Sequence, residues 1–563
     1  MFRPRGKPQN FSFLIILFIG SIFLLKSCDT PPDPQDPEAR PKQLKSEIRT
    51  ELEMIRLPGR ERTDFITLLS AESTHEFYSS ARFEPQWVLA DSLTPRGDSL
   101  IQLTQSARRY GLFPEHYHAP VLAAIQSAFE KDTLGTGPRN DLRQWARLDI
   151  LLTDAFLTLA RHLHRGHLSA DSMENQENYS VDFYFESLTQ AVKTNNPVAI
   201  LESLEPRSYG YQALKKSLPD FLRRAKLKKE YTYVQYPFQD SLLFIQSLLT
   251  RLREENYIDS SVQALDSLEL SVLLKKVQTS RQLKVDGKYG PQLIGSLNNN
   301  DVENFYKAAI NLDRYRMQTD TLPEQYLLVN LPAFELSVFD RDTVKLESRV
   351  IVGKPKTPTP ILNSRMGQLI VYPTWTIPAS IVADEILPFL KRNPGYLAKK
   401  GYNLYDLEGN EVDPYTVDWS RYKKGIPYKI VQGEGIGNAL GIMKFNFPNP
   451  FDVYLHDTNQ RGLFQNENRA LSHGCVRVQN WQGLYHYLLE LDSIRATENQ
   501  ENFVRADSIR SWLKQEKRRV IPLKGKLPIF FRYYTAAGKE GKLEVYNDVY
   551  GLDQKLREQL KTP

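Results

Sequence analysis

Cysteine is scarce in this chain of 563 residues, which contains only Cys28 and Cys475. Two cysteines cannot build a disulfide scaffold, and they cannot form a zinc site made of cysteine ligands. A dominant charge is also missing, because 73 Lys and Arg residues stand against 67 Asp and Glu residues, a net charge of +6. No basic run dominates any region, so nucleic acid is not an expected partner.

The composition is that of a folded protein. Hydrophobic residues make up 41% of the chain and charged residues 25%, which is ordinary for a protein with a buried core. At roughly 150 residues per domain, the length predicts several domains and excludes a single small binding module. We expect a multidomain α+β protein with a helical N-terminal scaffold, a small helical domain and a mostly β domain.

The N-terminus predicts export. Basic residues precede the apolar segment Phe13 to Leu25, which is shorter than the roughly 20 residues that span a bilayer. Residues 1–28 are therefore interpreted as a signal peptide. Its end resembles a bacterial lipobox, with Lys26 as a departure, and predicts lipidation of Cys28. Simple cleavage and an uncleaved anchor are the alternatives, and all three place the body in the cell envelope, outside the cytoplasm.

Residues 29–46 predict an extended tether. Four prolines lie between positions 31 and 37, and the segment has no apolar periodicity. A lipid on Cys28 would attach this periplasmic protein to the membrane. Cys475 would then be the one thiol of the mature body in an oxidising compartment, which calls for a chemical explanation.

Residues 47–235 show helical spacing of apolar residues and predict an α-helical scaffold domain. Three histidines in it, His162, His164 and His167, suggest a metal cluster at first sight. On a continuous helix only His164 and His167 would share a face. A structural role is therefore expected for these histidines, and no metal site is predicted.

Residues 238–300 contain a compact motif. An apolar helix ends near Gln278, followed by the turn Leu283-Lys284-Val285-Asp286-Gly287, Gly290-Pro291 and a Leu-rich segment ending at Asn298. This pattern resembles the helical peptidoglycan-binding domain. The alternative is a generic unit of three packed helices, because Asp-Gly turns are common between helices.

The hydrophobic period changes to two after residue 325, which predicts a mostly β domain over residues 325–500. A mixed segment at about 381–428, rich in Lys, Gly and aromatic residues, interrupts the strand pattern. Long inserts in β domains often cover a site, so this segment is predicted to be a cap. Residues 501–563 are expected to form a helix and strands that pack on this domain.

The segment Ser472 to Val478 carries the sharpest chemical signal. If it is extended, His473, Cys475 and Arg477 point to one face. A nearby imidazole or guanidinium would lower the pKa of the thiol, and the absence of a side chain at Gly474 would let the N–H groups of Gly474 and Cys475 approach an oxyanion. Such a set suits acyl transfer through a thioester.

The alternative to this interpretation is purely structural. Cys475 could be a buried strand cysteine and His473 a surface side chain, but a second histidine and the exported thiol make that less consistent. Tyr454 and Trp375 are interpreted as core aromatics without a catalytic role.

A family resemblance comes from the spacing of these residues. His456, fifteen intervening residues and then Ser472-His473-Gly474-Cys475 resemble the His-x(14 to 17)-Ser/Thr-His-Gly-Cys signature of L,D-transpeptidase (YkuD-type) catalytic domains. The segments Leu327 to Phe334, Val350 to Lys354, Asn438 to Gly441 and Phe447 to Pro450 resemble the long, multidomain YcbB-like branch, in which a scaffold, a peptidoglycan-binding domain and a capped catalytic domain occur together.

The resemblance implies roles for individual residues. Cys475 is implied as the nucleophile, His456 as the proton donor and acceptor, and His473 as a second imidazole of the pocket. Which histidine is the working base stays open. Arg477 stands where the family often has Asn and is expected to bind a substrate carboxylate, with Ser472 as a further substrate-binding residue.

The implied activity is formation of 3-3 cross-links in peptidoglycan without a metal or organic cofactor. Cys475 would attack a donor tetrapeptide stem and pass the acyl group to the amine of an acceptor stem. The alternatives are an L,D-carboxypeptidase, an enzyme that attaches proteins to the wall or releases them, and a non-catalytic peptidoglycan-binding scaffold.

Overall fold

The computed structural model describes residues 39–55, 67–168, 181–229, 231–259, 262, 264–318, 322–498 and 504–561. The predicted signal peptide with Cys28, and residues 29–38 of the predicted tether, lie outside the described residues. Within the described ranges, no helix combines the length and the apolar character that crossing a membrane requires.

The N-terminal region is helical, as predicted. Its helices are α1 (Ala39–Ile55), α2 (Ala71–Ser80), α3 (Pro95–Gln105), α4 (Ala119–Lys131), α5 (Leu142–Arg165), α6 (Val181–Thr194), α7 (Pro197–Ser203) and α8 (Tyr209–Arg224). Helix α5 lies at the centre and is buried along most of its length. Its Asp149 accepts hydrogen bonds from the backbone N–H groups of Gln86, Trp87 and Val88, so this buried carboxylate holds a loop against the helix.

A second helical unit consists of α9 (Ser241–Glu254), α10 (Ser267–Ser280) and α11 (Pro291–Leu297), which share a separate hydrophobic core. The side chain of Gln278 holds the turn between α10 and α11. Its amide donates to Asp286 at 2.9 Å, and its oxygen accepts the N–H of Gly287 at 2.8 Å. Gly287 has a φ of +69°, which favours glycine, so the turn motif is explained by local geometry.

Helix α12 (Asp301–Arg316) joins the helical units to the β domain and is buried along most of its length. Asp313 accepts the backbone N–H of His167 at 2.8 Å, and Arg316 donates to the hydroxyl of Tyr211 at 2.9 Å. These buried polar contacts attach the scaffold to the helix that leads into the first strand.

The β domain contains sixteen strands among the described residues, and later helices flank them. The strands are β1 (Gln325–Asn330), β2 (Glu335–Asp340), β3 (Thr343–Gly353), β4 (Leu362–Arg365), β5 (Gln368–Val371), β6 (Trp375–Thr376), β7 (Tyr402–Tyr405), β8 (Lys429–Gln432), β9 (Met443–Asn446), β10 (Leu455–His456), β11 (Ala470–Ser472), β12 (Val476–Val478), β13 (Arg519–Pro522), β14 (Pro528–Arg532), β15 (Ala536–Lys539) and β16 (Lys542–Val545). The helices are α13 (Ala379–Ile381), α14 (Leu387–Leu390), α15 (Tyr396–Lys400), α16 (Trp481–Glu498), α17 (Ala506–Gln515) and α18 (Asp553–Leu560).

Eleven of these strands form one curled sheet in the order β13-β5-β9-β10-β12-β3-β2-β1-β14-β4, with β11 paired to β3. Its inner side chains form the largest core of the domain. Two of its strands come from beyond residue 500: β13 pairs with β5, and β14 runs parallel to β1. The C-terminal segment therefore contributes two strands to the sheet of the domain on which the sequence predicts that it packs.

The predicted cap is a small folded unit inserted between β5 and β9, which pair directly with each other. It contains the three-stranded sheet β6-β8-β7 and a hydrophobic core of its own. It extends from Trp375 to Gln432, beyond the predicted bounds of 381–428 on both sides. The short helices α13 and α14 are joined by a π-helical turn at Val382–Ile386.

Candidate active site

The candidate site lies on the outer face of the neighbouring strands β9, β10 and β12. His456 is paired with Lys444 on one side and with Arg477 on the other. Because side chains alternate along a strand, the outer face also carries Tyr454 and, just before β12, Cys475. The intervening residues point into the core: Phe445, Leu455, Val476 and Val478.

The backbone between β11 and β12 bends at residues 473–475, so the predicted continuous strand is two short strands. The alternation of exposure nevertheless persists: Ser472 and Gly474 are buried, whereas His473 is exposed and Cys475 half-buried. Gly474 has a φ of +120°, a conformation that side chains disfavour. The glycine is thus required by the bend that presents the cysteine.

The hydroxyl of Ser472 stabilises this bend. It donates to the carbonyl of Cys475 at 2.6 Å and accepts the N–H of Gly474 at 3.1 Å. Ser472 is 4% exposed and supports the backbone in this structure. The sequence predicts instead that Ser472 binds the substrate. The same contact occupies the Gly474 N–H, which was predicted as an oxyanion donor. The N–H of Cys475 remains the proposed donor.

Further hydrogen bonds, from Thr359 and Tyr550, hold the backbone of the bend in place. Thr359 donates to the carbonyl of Gly474 at 2.7 Å and accepts the N–H of Gly353 at 2.9 Å. Tyr550, near the C-terminus, donates to the carbonyl of Gly353 at 2.9 Å. The position of the cysteine therefore depends on a tyrosine from the C-terminal segment of the chain.

The thiol of Cys475 is held by Tyr454 and Asp452. The backbone N–H and the hydroxyl of Tyr454 both hydrogen bond to it, and its sulfur lies 3.8 Å from the carbonyl oxygen of Asp452. Burial raises the pKa of the thiol, and Tyr454 and Lys444 oppose that rise only in part. This corrects the sequence-based expectation that His or Arg lowers the pKa of the thiol, and it implies that a base must remove the proton.

Tyr454 is the functional residue that the sequence analysis missed. Its hydroxyl hydrogen bonds to Cys475 and to the side chain of Trp375, and burial raises its pKa. The ammonium of Lys444 lies 3.7 Å from the centre of its ring. A signal was present, because Tyr454 lies two residues before His456 and therefore on the same strand face.

His456 is 5% exposed, and its Nδ1 lies 2.5 Å from the carbonyl oxygen of Asp457. The ring makes a further hydrogen bond with the backbone carbonyl of Leu440. Burial, with a contribution from the charge of Arg477, lowers the pKa of His456 to about 3, so the imidazole is neutral at neutral pH. Among the described residues, His456 and Cys475 are not hydrogen bonded to each other.

His473 lies at the boundary between the catalytic sheet and the cap. Its Nε2 is 2.8 Å from Oε1 of Glu385, a residue of the π-helical turn. Trp375, the first residue of the cap, contacts Tyr454. The cap therefore reaches both neighbours of the thiol.

Arg477 has an unused donor. Its Nη1 donates to Gln460 at 3.0 Å, but in the described part of the chain its buried Nε has no hydrogen-bond partner and no carboxylate lies within 4.0 Å. Burial lowers the pKa of Arg477, and its charge acts on Cys475. An anionic group near the thiol would find a partner here.

The scaffold histidines are arranged differently from the prediction. His167 lies beyond the end of α5, and its ring contacts His162 at 3.3 Å between Nδ1 and Nε2, whereas His164 faces Tyr184. Among the described residues, no group of three His, Cys, Asp or Glu side chains is placed to hold a metal ion.

A cysteine beside a tyrosine hydroxyl, an amine and a neutral buried imidazole on one sheet face defines a thiol-centred site with the groups that acyl transfer requires. The comparisons with known proteins name the family. Residues 324–495 match the family model of the L,D-transpeptidase catalytic domain (YkuD), and residues 72–218 match that of the Scaffold domain. The chain thus contains an L,D-transpeptidase catalytic domain, which confirms the family expected from the motif.

One curated relative supports the match. It is a Haemophilus influenzae protein named "Putative L,D-transpeptidase", 36% identical over 250 residues, which are 44% of this chain and 48% of the relative. The chain therefore spans about half the length of that relative.

Two solved structures also match. They are the L,D-transpeptidase from Mycobacterium smegmatis, with a TM-score of 0.18 over 37% of this chain and 58% of that one, and the Ldtfm-avibactam carbamoyl enzyme, with 0.14 over 38% and 49%. Both are 12% identical to this chain.

Proposed function

We propose that this protein is a cysteine-dependent L,D-transpeptidase that forms 3-3 cross-links in peptidoglycan through a thioester on Cys475. The observation that carries the proposal is the hydrogen bond of Tyr454 to the Cys475 thiol on the strand face that also bears His456 and Arg477. The site needs no metal or organic cofactor for this chemistry, because every step is a proton or acyl transfer.

In the first step the Cys475 sulfur attacks the carbonyl of the third residue of a donor tetrapeptide stem. The thiol proton passes to a base and then to the departing amine of D-Ala, and a thioester remains. In the second step the side-chain amine of an acceptor stem attacks the thioester, loses a proton and releases the thiol. The Cys475 N–H and the Tyr454 hydroxyl are the donors placed to stabilise the oxyanion of each intermediate.

We assign the base to His456. It is neutral at neutral pH, so it can accept a proton once substrate binding relieves the burial that makes it a weak base, and the backbone carbonyl at its Nδ1 orients its ring. Its tight burial requires a small movement when substrate binds, as catalytic contacts often shorten only in the complex. His473, whose ring is taken by Glu385, is assigned to the link between the site and the cap.

Arg477 is proposed to bind a carboxylate of the donor stem. Its unpartnered Nε and its position beside the thiol support this role. An arginine can hold a carboxylate through two parallel hydrogen bonds, which would fix the stem relative to the sulfur. Ser472 supports the backbone instead.

The cap is proposed to exclude water from the thioester until the acceptor amine arrives. Water competes with the acceptor as nucleophile, so transfer requires a covered site. The two contacts of the cap, Trp375 with Tyr454 and Glu385 with His473, support closure over the cysteine. If closure fails, the same chemistry becomes that of an L,D-carboxypeptidase.

The test is incubation of the purified protein with a disaccharide-tetrapeptide, followed by mass spectrometry of the products. A 3-3 dimer and a thioester adduct on the intact protein are expected. Tripeptide without dimer would favour the carboxypeptidase, and absence of both products would favour a non-catalytic scaffold. The Cys475→Ala variant is the matched control, because it removes only the sulfur.

Residues 238–300 are proposed to bind peptidoglycan. The two ends of the unit lie close together, because the side chain of Asn298 hydrogen bonds to the backbone of Val234 at 3.0 and 2.7 Å. A short linker can therefore replace the unit without separating its flanks. The excised variant is expected to lose affinity for isolated sacculi in a pull-down while its turnover of a soluble stem persists. Unchanged sacculus affinity would contradict the binding role.

Export and lipidation of Cys28 complete the proposal and place the enzyme on the periplasmic side of a membrane. Metabolic labelling with a fatty acid is expected to mark the wild type and to fail with Cys28→Ser. A labelled Cys28→Ser protein would contradict the assignment of Cys28.

A further inference from the structure

A cavity of about 610 Å³ lies between the catalytic sheet and the scaffold, away from the residues around the cysteine. Its volume falls within the usual range of small-molecule sites. The floor is the outer face of β1, β2 and β14, one wall is the start of α8, and the hairpin of β15 and β16 covers it. Three distant parts of the chain thus enclose one space.

Aromatic rings form much of the cavity wall. Tyr326 stacks on Phe339 with ring centres 4.8 Å apart, and Tyr315 stacks on Tyr534 at 4.3 Å. Helix α8 approaches so closely that a Cβ on Gly210 would lie 2.2 Å from the hydroxyl oxygen of Tyr315. The rings are held in place by this packing, so the aromatic part of the wall is preformed.

Arg532 provides a buried positive charge in the same cavity. It is 7% exposed, and its Nη1 donates to the carbonyl of Phe531 at 3.1 Å. Over the described ranges, no carboxylate lies within 4.0 Å of its guanidinium, whereas the nearby Lys539 is paired with Glu335 at 2.7 Å. Buried charges are normally paired, so Arg532 is a buried cation of this cavity that has no carboxylate as counter-charge in the described part of the chain.

The remaining lining is mixed: the polar groups of Asn330, Ser337 and Glu347 lie among apolar side chains such as Leu328 and Val344, and the hairpin adds the charged residues Glu540, Lys542 and Glu544. A purely aromatic ligand would leave these groups without partners. A sugar ring has apolar C–H faces for the tyrosines and hydroxyl groups for the polar side chains. We propose that this cavity binds an acidic muropeptide, with its sugar ring against the tyrosines and a carboxylate on Arg532.

This inference rests on the proposed function, because peptidoglycan supplies sugars joined to acidic peptides. Occupation of the cavity would hold one stretch of the wall against the junction of scaffold and sheet. The cysteine would then act on a stem presented from a fixed glycan, and the scaffold would take part in substrate binding.

The experiment is titration calorimetry on the full chain carrying Cys475→Ala, so that no turnover occurs. The probes are N-acetylmuramyl-L-Ala-D-Glu, N-acetylglucosamine and L-Ala-D-Glu. The muramyl dipeptide is expected to bind at least tenfold more tightly than either half. Arg532→Gln is expected to abolish that advantage, whereas Arg421→Gln, an exposed arginine of the cap, leaves it unchanged.

A second variant tests the proposal in case Arg532→Gln does not fold. Ser337→Phe fills the cavity from β2 without altering the arginine, and it is also expected to abolish binding. Absence of binding by the muramyl dipeptide, or equal binding by all variants, would overturn the proposal. The two proposals fail separately: binding without any turnover in the cysteine-containing enzyme contradicts the proposed activity, and turnover without binding contradicts only the cavity.

Discussion

Histidines are buried in two regions of this molecule, and only one of these regions has the surroundings of a catalytic site. In the scaffold, burial lowers the pKa of His116 to about 4 and that of His162 well below its usual value. In the sheet, burial lowers the pKa of His456 to about 3. The scaffold rings face each other and Tyr117, whereas His456 shares a strand face with Cys475. A low imidazole pKa therefore reports burial, and the neighbouring nucleophile distinguishes the site.

Loss of the thiol is expected to have the largest effect. Cys475→Ala should abolish the thioester adduct and reduce cross-linking to the background of the assay, because no other group on the face can form the intermediate. Its thermal unfolding should resemble that of the wild type, since alanine removes one atom and leaves the hydrogen bonds of the bend at Ser472 and Thr359 in place. Residual cross-linking at the wild-type rate would remove Cys475 from the mechanism.

His456 of the sheet and His162 of the scaffold can be compared directly by substitution. His456→Ala is expected to slow acylation by about 10²- to 10⁴-fold, the usual contribution of a positioned base. His162→Ala should leave turnover per folded molecule unchanged and destabilise the scaffold by about 1–3 kcal/mol, because Tyr117 and His167 lose a buried partner. Rapid-quench kinetics and thermal unfolding separate these outcomes. Unchanged acylation in His456→Ala would favour His473 as the base.

The sequence predicts only in part that the catalytic site lies on the sheet and not among the scaffold histidines. The histidine and cysteine motif indicates the catalytic face, because strand alternation places those side chains together. It does not show that Ser472 supports the bend, since a hydroxyl can serve a substrate or a backbone equally well. It also assigns Tyr454 to the core, which is wrong, because the contact between Tyr454 and Cys475 depends on the register of β10 and β12.

The fold shows the same division between local and long-range information. The change from helical to strand period correctly predicts the helical and β regions, since periodicity is local. The place of β13 and β14 inside the catalytic sheet was not predicted, because pairing with β5 and β1 joins residues more than a hundred positions apart. The sequence predicts the cap only as a mixed insert, and its own core was not predicted because its strands are short and separated by loops.

Tyr454→Phe tests whether the tyrosine hydroxyl acts on the Cys475 thiol, a kind of contact that the buried histidines of the scaffold do not have. Removal of the hydroxyl that donates to Cys475 should raise the pKa of the thiol further and slow its alkylation at pH 7 by roughly three- to tenfold. The rate of iodoacetamide labelling against pH measures both quantities. Tyr415→Phe, an exposed position in the cap, is the control. An unchanged profile would mean that the hydroxyl does not act on the sulfur.

Glu385→Gln tests the link between the cap and His473. The amide keeps a hydrogen-bonding group but removes the charge, so closure should weaken and the ratio of tripeptide to 3-3 dimer should rise by about two- to fivefold. Asp384→Asn, the exposed neighbour on the same turn, is the matched control. Equal product ratios in both variants would assign the contact to packing alone.

The smallest expected effect is the pH dependence of stability that comes from the buried histidines of the scaffold. The pKa of His116 is lowered in the folded state to about 4, below the value of about 6.5 in an unfolded chain. Between these two values the unfolded state binds more protons, so the free energy of unfolding falls as pH falls. The contribution of His116 is fully present above about pH 6.5 and is lost progressively down to about pH 4. Melting of the full chain at pH 5 and pH 7 should therefore differ by a few degrees, and His116→Gln should reduce that difference. His456 adds a similar dependence, so the double variant with His456→Gln should reduce it again if the two buried regions titrate independently.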